Sequence, residues 1–186
     1  MNLVCFTEEK SAKAMLDIIL PKILPNNCCL SQIIPFEGKQ DLDKQIEKKI
    51  KNYKLPDTRF LALRDQDSAI CTDVKQDLLS KIEKSGKKDV SIVRIACHEL
   101  ENFYLGDLSA VEQAFNKKLS LSQTSKKFRN ADNLGNAKQE LQKITNKEYQ
   151  PISGSKAITP YLKLDGSNTS TSFNMLLSGV KKLCTI

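Results

Sequence analysis

Four short apolar runs, each followed by a stretch with helical hydrophobic spacing, occupy residues 2–96, and this alternation constrains the fold more than any other feature of the chain. Residues 2–6 read as a buried strand. A helix follows from about Glu8 to Leu24, in which Ala12, Met15, Leu16, Ile19 and Ile23 recur on one face. Pro21 lies in its last turn and Pro25 ends it. Residues 28–35 read as a second strand, closed by Pro35. Asp41 to Tyr53 forms a lysine-rich helix with Leu42, Ile46 and Ile50 aligned. Pro56-Asp57 turns the chain into a strand at 59–64. A helix over 72–84 presents Val74, Leu78, Leu79 and Ile82, Gly86 ends it, and a fourth strand runs from Val90 to Ala96. Strands separated by helices of this length cannot pair as hairpins. The pattern predicts an α/β fold with a parallel, doubly wound sheet and right-handed crossovers.

After Cys97 the rhythm changes. Residues 98–104 and 109–116 read as helical, and Leu119 to Asp132 as polar and irregular. Leu134 to Thr145 forms another helix, Pro151 to Thr171 reads as loop, and Phe173 to Leu183 as a closing amphipathic helix. With 186 residues, one domain with a substantial core is expected. Its α/β core covers about residues 1–107, and a basic helical extension covers about 108–186. No apolar run approaches the roughly 20 residues that a membrane span needs. The opening run turns acidic at once, unlike a secretory signal. Six cysteines lack paired Cys-x-x-Cys spacing, so structural zinc is not expected and a reducing cytoplasm is the natural setting.

Charge is unevenly spread. Residues 115–186 carry twelve basic and four acidic side chains, whereas the residues before them are nearly balanced. Such asymmetry suits a polyanionic partner, nucleic acid first. Only Arg129 among those twelve is arginine and the chain has no tryptophan, which favours phosphate contact over base reading. Lys126, Lys127, Arg129, Lys138 and Lys156 are the candidates, and a lysine-coated solvated surface is the competing explanation.

Arg64-Asp65-Gln66-Asp67 directly follows the apolar run Phe60 to Leu63. This places two carboxylates at the carboxyl end of a strand, the edge at which open α/β sheets bind ligands. Like charges this close need a cation between them, and magnesium takes carboxylate oxygens readily. A polar turn with Asp67 as a cap explains the tetrapeptide equally simply. Glu8 and Glu9 end the first strand, so Glu8 can converge on Asp65 and Asp67. The same glutamates also suit the positive end of a helix dipole. A second acidic group, His98-Glu99-Leu100-Glu101, lies just past the fourth strand, and one of Glu99 and Glu101 is expected to face the same place. Tyr149 could reach a phosphate or the metal, although core packing is its simpler fate. Gly38-Lys39 and Gly86-Lys87-Lys88 lack the glycine-rich run of a phosphate-binding loop.

These blocks, from Glu8-Glu9-Lys10-Ser11 through Phe36-Glu37-Gly38-Lys39 and Arg64-Asp65-Gln66-Asp67-Ser68 to Glu99-Leu100-Glu101-Asn102-Phe103-Tyr104-Leu105-Gly106-Asp107, resemble a bacterial family described as domain of unknown function 4276. Phe128-Arg129, Asn136-Ala137-Lys138, Tyr149-Gln150 and Ser172-Phe173 extend the match almost to the end. The resemblance implies a divergent TOPRIM domain. In that fold a glutamate after the first strand acts as general acid or base, a role that falls on Glu8. An Asp-x-Asp after a later strand binds Mg2+ or Mn2+, a role that falls on Asp65 and Asp67. Glu99 or Glu101 would complete the cluster. The resemblance also implies an ATPase partner of the structural-maintenance or ABC-like class in phage defence. Glu9 departs from the glycine that many members carry after the first glutamate. The expected function is a metal-dependent phosphodiesterase or nuclease; the alternative is a non-catalytic module that docks onto the ATPase.

Overall fold

A computed structural model describes residues 1–185. Strands β1 (Asn2–Thr7), β2 (Cys29–Pro35), β3 (Thr58–Asp65) and β4 (Ser91–Ala96) form one sheet in the order β2-β1-β3-β4, with every neighbouring pair parallel. Helices α1 (Lys10–Ile23), α2 (Lys39–Lys51) and α3 (Cys71–Lys84) supply the crossovers. The doubly wound α/β arrangement expected from the alternation is therefore the one observed.

The two-residue period of the strands sorts side chains between two cores. Leu3 and Cys5 of β1, with Leu61 and Leu63 of β3, face α1. Val4 and Phe6, with Phe60 and Ala62, face α2 and α3. Because both faces are covered, the strands are apolar runs rather than alternating ones. β2 lies at an edge, where the missing N–H of Pro35 costs no ladder bond, and its pairing with β1 shifts register between Leu3 and Val4.

The α1 face continues into the second half of the chain. Helices α4 (Asn102–Leu105), α5 (Leu108–Phe115), α6 (Ala137–Ile144), α7 (Pro151–Ile158) and α8 (Thr171–Leu183) bury Phe103, Tyr104, Leu108, Leu141, Tyr149, Ile158 and Phe173 in the same cluster as Met15 and Ile19. Two local expectations are corrected here. The helix expected over 98–104 shrinks to the single turn of α4. The segment read as loop from Pro151 contains α7 and a short 3-10 turn at Thr159–Tyr161. Pro151 stands in the first turn of α7, where its fixed φ is favourable. Buried Ser155 and Thr159 then donate their hydroxyls to carbonyls one turn back, at Pro151 and Ser155. Packing against α1 overrides a composition that reads as loop.

Candidate functional site at the switch point of the sheet

The connection leaving β1 runs to β2 on one side and the connection leaving β3 runs to β4 on the other, so the crevice between the carboxyl ends of β1 and β3 is the topological switch point, where doubly wound sheets bind ligands. Thr7 pairs with Leu63, which puts Glu8 and Asp65 just past the last rungs of adjacent strands. The backbone N–H of Asp65 donates to Glu8 Oε2 at 3.2 Å, and that of Leu100 donates to Asp65 Oδ2 at 3.1 Å. Glu101, 5% exposed, accepts the hydroxyl of Tyr149 at 2.9 Å. Tyr149 is itself fully buried and comes from 48 residues further along the chain.

Burial pushes the carboxyl of Asp65 well above the usual aspartate range; the neighbouring Glu8 and Glu101 push it the same way, and the Leu100 N–H pulls it back. Burial raises Glu8 too, opposed by the Asp65 N–H and reinforced by Asp67. Glu101 is raised by burial against the pull of the Tyr149 hydroxyl. Among the described residues, neither Asp65 nor Glu101 has a lysine or arginine within ion-pair distance. Arg64 turns its guanidinium to Asp43 at 2.9 Å, where Lys81 also converges, and approaches Glu8 Oε2 only at 3.9 Å.

The other sequence candidates are placed differently. Asp67 pairs with Lys39 at 2.8 Å, half-exposed. It adopts a left-handed φ of 55°, and His98 opposite adopts one of 58°. The N–H of Asp67 donates to the His98 carbonyl at 2.8 Å, and His98 Nδ1 stands 3.3 Å from the Asp67 carbonyl. His98 thus holds the loop after β3 in position. Glu99 turns away from the crevice, and its carboxylate accepts the backbone N–H of Lys138 at 2.7 Å at the start of α6. Lys127 pairs with Glu140 at 2.5 Å and sits 5.6 Å from the Phe128 ring centroid, so its charge is already balanced. Lys126, Arg129, Lys138 and Lys156 are exposed.

The structure therefore gathers Glu8, Asp65 and Glu101, leaves Asp67 on Lys39, and assigns Glu99 to a helix start. Lys39, Tyr104 and Gly154 adjoin these candidate residues and are not singled out for the site by the sequence. Lys39 opens the helix after β2, so extending the strand-end logic to all four strands finds it. Tyr104 lies against Tyr149, ring centroids 6.2 Å apart, with its buried hydroxyl lacking a partner. A Cβ at Gly154 would overlap the Tyr149 ring, so only glycine lets that ring lie where its hydroxyl meets Glu101. A cleft of about 330 Å³ lined by Glu9, Lys10, Ser11, Gly38 and Ile152 opens beside Glu8.

These donors suit a hard divalent cation. Glu8 and Asp65 each spend one oxygen on a backbone N–H, Glu8 has only the Arg64 guanidinium at 3.9 Å and Asp65 has no basic partner, and magnesium is commonly held by one or two carboxylates with water and phosphate completing its shell. As placed, no group of three His, Cys, Asp or Glu side chains among the described residues could hold a metal ion. The pair Glu8 and Asp65 is what the crevice offers.

Fold and crevice define a doubly wound α/β protein with buried carboxylates at its switch point. The chain belongs to the family described as domain of unknown function (DUF4276), whose model matches residues 7–181 and so includes the carboxylates and their helical cover. No curated protein and no solved structure matches it. Among the described residues, no helix is long and apolar enough to cross a membrane.

Proposed function

We propose that this chain is a magnesium- or manganese-dependent, TOPRIM-like phosphodiesterase, a nuclease that works in the cytoplasm on nucleic acid. The observation that supports this reading is that Asp65 lies at the switch point between Glu8 and Glu101 with its carboxyl pushed up and with no basic partner. A purely structural acidic cluster would be neutralised throughout by neighbouring arginine and lysine; Lys39 does pair with Asp67 and Arg64 approaches Glu8 at 3.9 Å, but Asp65 and Glu101 have no such partner among the described residues.

Glu8 and Asp65 would hold the ion; Asp67 joins them only on leaving Lys39, and Glu99 only on releasing the Lys138 N–H. The ion would supply polarisation of a phosphodiester oxygen and a positioned water. Glu8, whose carboxyl is raised by burial, is suited to take and return a proton. Glu101 has the same tendency and is oriented by Tyr149. Exposed Lys126, Arg129, Lys138 and Lys156 would hold the phosphate backbone, and that attraction weakens with salt. An ATPase partner of the structural-maintenance or ABC-like class, in phage defence, belongs to the same proposal on the strength of the family resemblance.

The test is manganese binding followed by water-proton relaxation, on the wild type and on Asp65→Asn/Asp67→Asn. Enhanced relaxation that disappears in the double variant supports the metal site and justifies a nuclease assay with the ATPase present. Equal, negligible binding in both proteins favours the docking module.

A further inference from the structure

At the sheet edge opposite the carboxylates, two cysteines meet. Cys28 lies one residue before β2 and Cys184 one residue after α8, 156 positions apart, and their sulfurs are 2.9 Å apart. Both are free thiols, buried at 5% and 0% exposure. Helix α8 begins under the other side of the sheet. There Ser172 accepts the backbone N–H of Cys97 at 3.3 Å, and the guanidinium of Arg94 in β4 lies over Gly179 and donates to the Met175 carbonyl at 2.8 Å. α8 therefore runs beneath the sheet from edge strand β4 to the start of edge strand β2, and its last turn ends on a thiol facing a thiol.

We propose that Cys28 and Cys184 are an oxidative modification site, closing under a peroxide to a disulfide that straps α8 across the two edges of the sheet. In the reaction one of the two sulfurs attacks the peroxide, the O–O bond breaks, and a sulfenic acid forms with release of one water. The other sulfur then loses its proton and displaces the sulfenic hydroxyl, giving the S–S bond and a second water. Two thiols lose two hydrogens and the peroxide is reduced. Burial and the contact with Cys28 push the Cys184 thiol up to about 12, and the nearby Arg59 and N-terminal amine pull it down only in part. Closing the present gap to a bond of about 2.05 Å takes less than about 1 Å of movement. Neighbouring Cys29 is exposed and faces no such partner among the described residues, which makes it the internal control.

The experiment treats the full chain with hydrogen peroxide, alkylates remaining thiols before unfolding, and maps the peptides by mass spectrometry. The expected result is a protein two hydrogens lighter, with titratable thiols falling from six to four and a single linked peptide pair joining Cys28 to Cys184. Because the bond closes a very long loop, Tm should rise by about 10 °C and fall back on reduction. Cys29→Ser should behave like the wild type, and Cys184→Ala should show neither link nor Tm shift. Six thiols after treatment, or a link that joins other cysteines, would overturn the proposal. The wild-type peptide map decides the matter even if Cys184→Ala fails to fold.

Discussion

The backbone N–H of Asp65 donates to Glu8 Oε2 across 3.2 Å, so the last residue of β3 anchors the carboxylate that follows β1. Two acidic side chains are thereby held side by side at the one crevice of the sheet where strand order reverses. Such an arrangement costs stability in the absence of a cation, and that cost is measurable.

Asp65→Asn should stabilise the metal-free protein at neutral pH. The folded-state carboxyl is raised by burial above the ordinary aspartate value of 3.8, so the folded chain favours its protonated form. That favourable contribution is complete below 3.8 and is lost as pH rises through the folded-state value. At pH 7 the variant should melt higher, by about 2–4 °C for roughly 1 kcal/mol, and the difference should close as the pH is lowered. Added manganese should reverse the order, because it stabilises only the protein that binds it. Thermal unfolding across pH, with and without the ion, checks both halves.

Tyr149→Phe removes the hydroxyl that Glu101 accepts at 2.9 Å and leaves a buried carboxylate short of a donor. The expected loss is about 1–3 kcal/mol in urea unfolding. Since the Tyr149 hydroxyl holds Glu101 down, its removal should push the Glu101 carboxyl further up, a shift that carboxyl-resolved NMR titration would detect.

Gly154→Ala should disturb the same pair from the other side. The added methyl would overlap two carbons of the Tyr149 ring edge, so the ring must move. A destabilisation of about 1–3 kcal/mol is expected, as for other overpacked cores. A melting temperature equal to that of the wild type would show that the ring has room the packing does not suggest.

Lys39→Met separates pairing from ligation at Asp67. The Lys39–Asp67 pair is half-exposed, so its removal should leave Tm nearly unchanged. If Asp67 is a metal ligand that Lys39 withholds, the same variant should bind manganese more tightly than the wild type. Unaltered manganese affinity would leave Asp67 as a loop residue, as its left-handed φ and its bond to His98 already allow.

Reversing charge at Lys126, Arg129 and Lys138 should weaken binding of a fluorescent DNA duplex and flatten its salt dependence by about one unit of slope for each phosphate that is no longer neutralised. Lys127→Glu should instead lower stability, because Lys127 is committed to the nearly buried Glu140. A duplex affinity insensitive to the triple reversal would move the backbone-binding surface elsewhere on the protein.

Much of this was legible in the sequence because it depends on short-range order. The spacing of Met15, Leu16 and Ile19 defines α1, the apolar runs define the strands, and a carboxylate just past a strand must stand at one edge of the sheet. Glu8 and Asp65 were found that way. Composition misled at Pro151–Ile158, where serine, glycine and lysine read as loop although burial against α1 makes a helix. It misled again at Lys127, whose charge counts toward a basic tail until Glu140 cancels it. Spacing predicted a parallel sheet without an order for its strands. The order β2-β1-β3-β4, the choice of Glu101 over Glu99 for the crevice, the capture of Asp67 by Lys39, and the meeting of Cys28 with Cys184 were all decided by the tertiary structure. Each joins residues from 28 to 156 positions apart or depends on such a pairing, and only the packing of helices on the two faces of the sheet determines which of them touch.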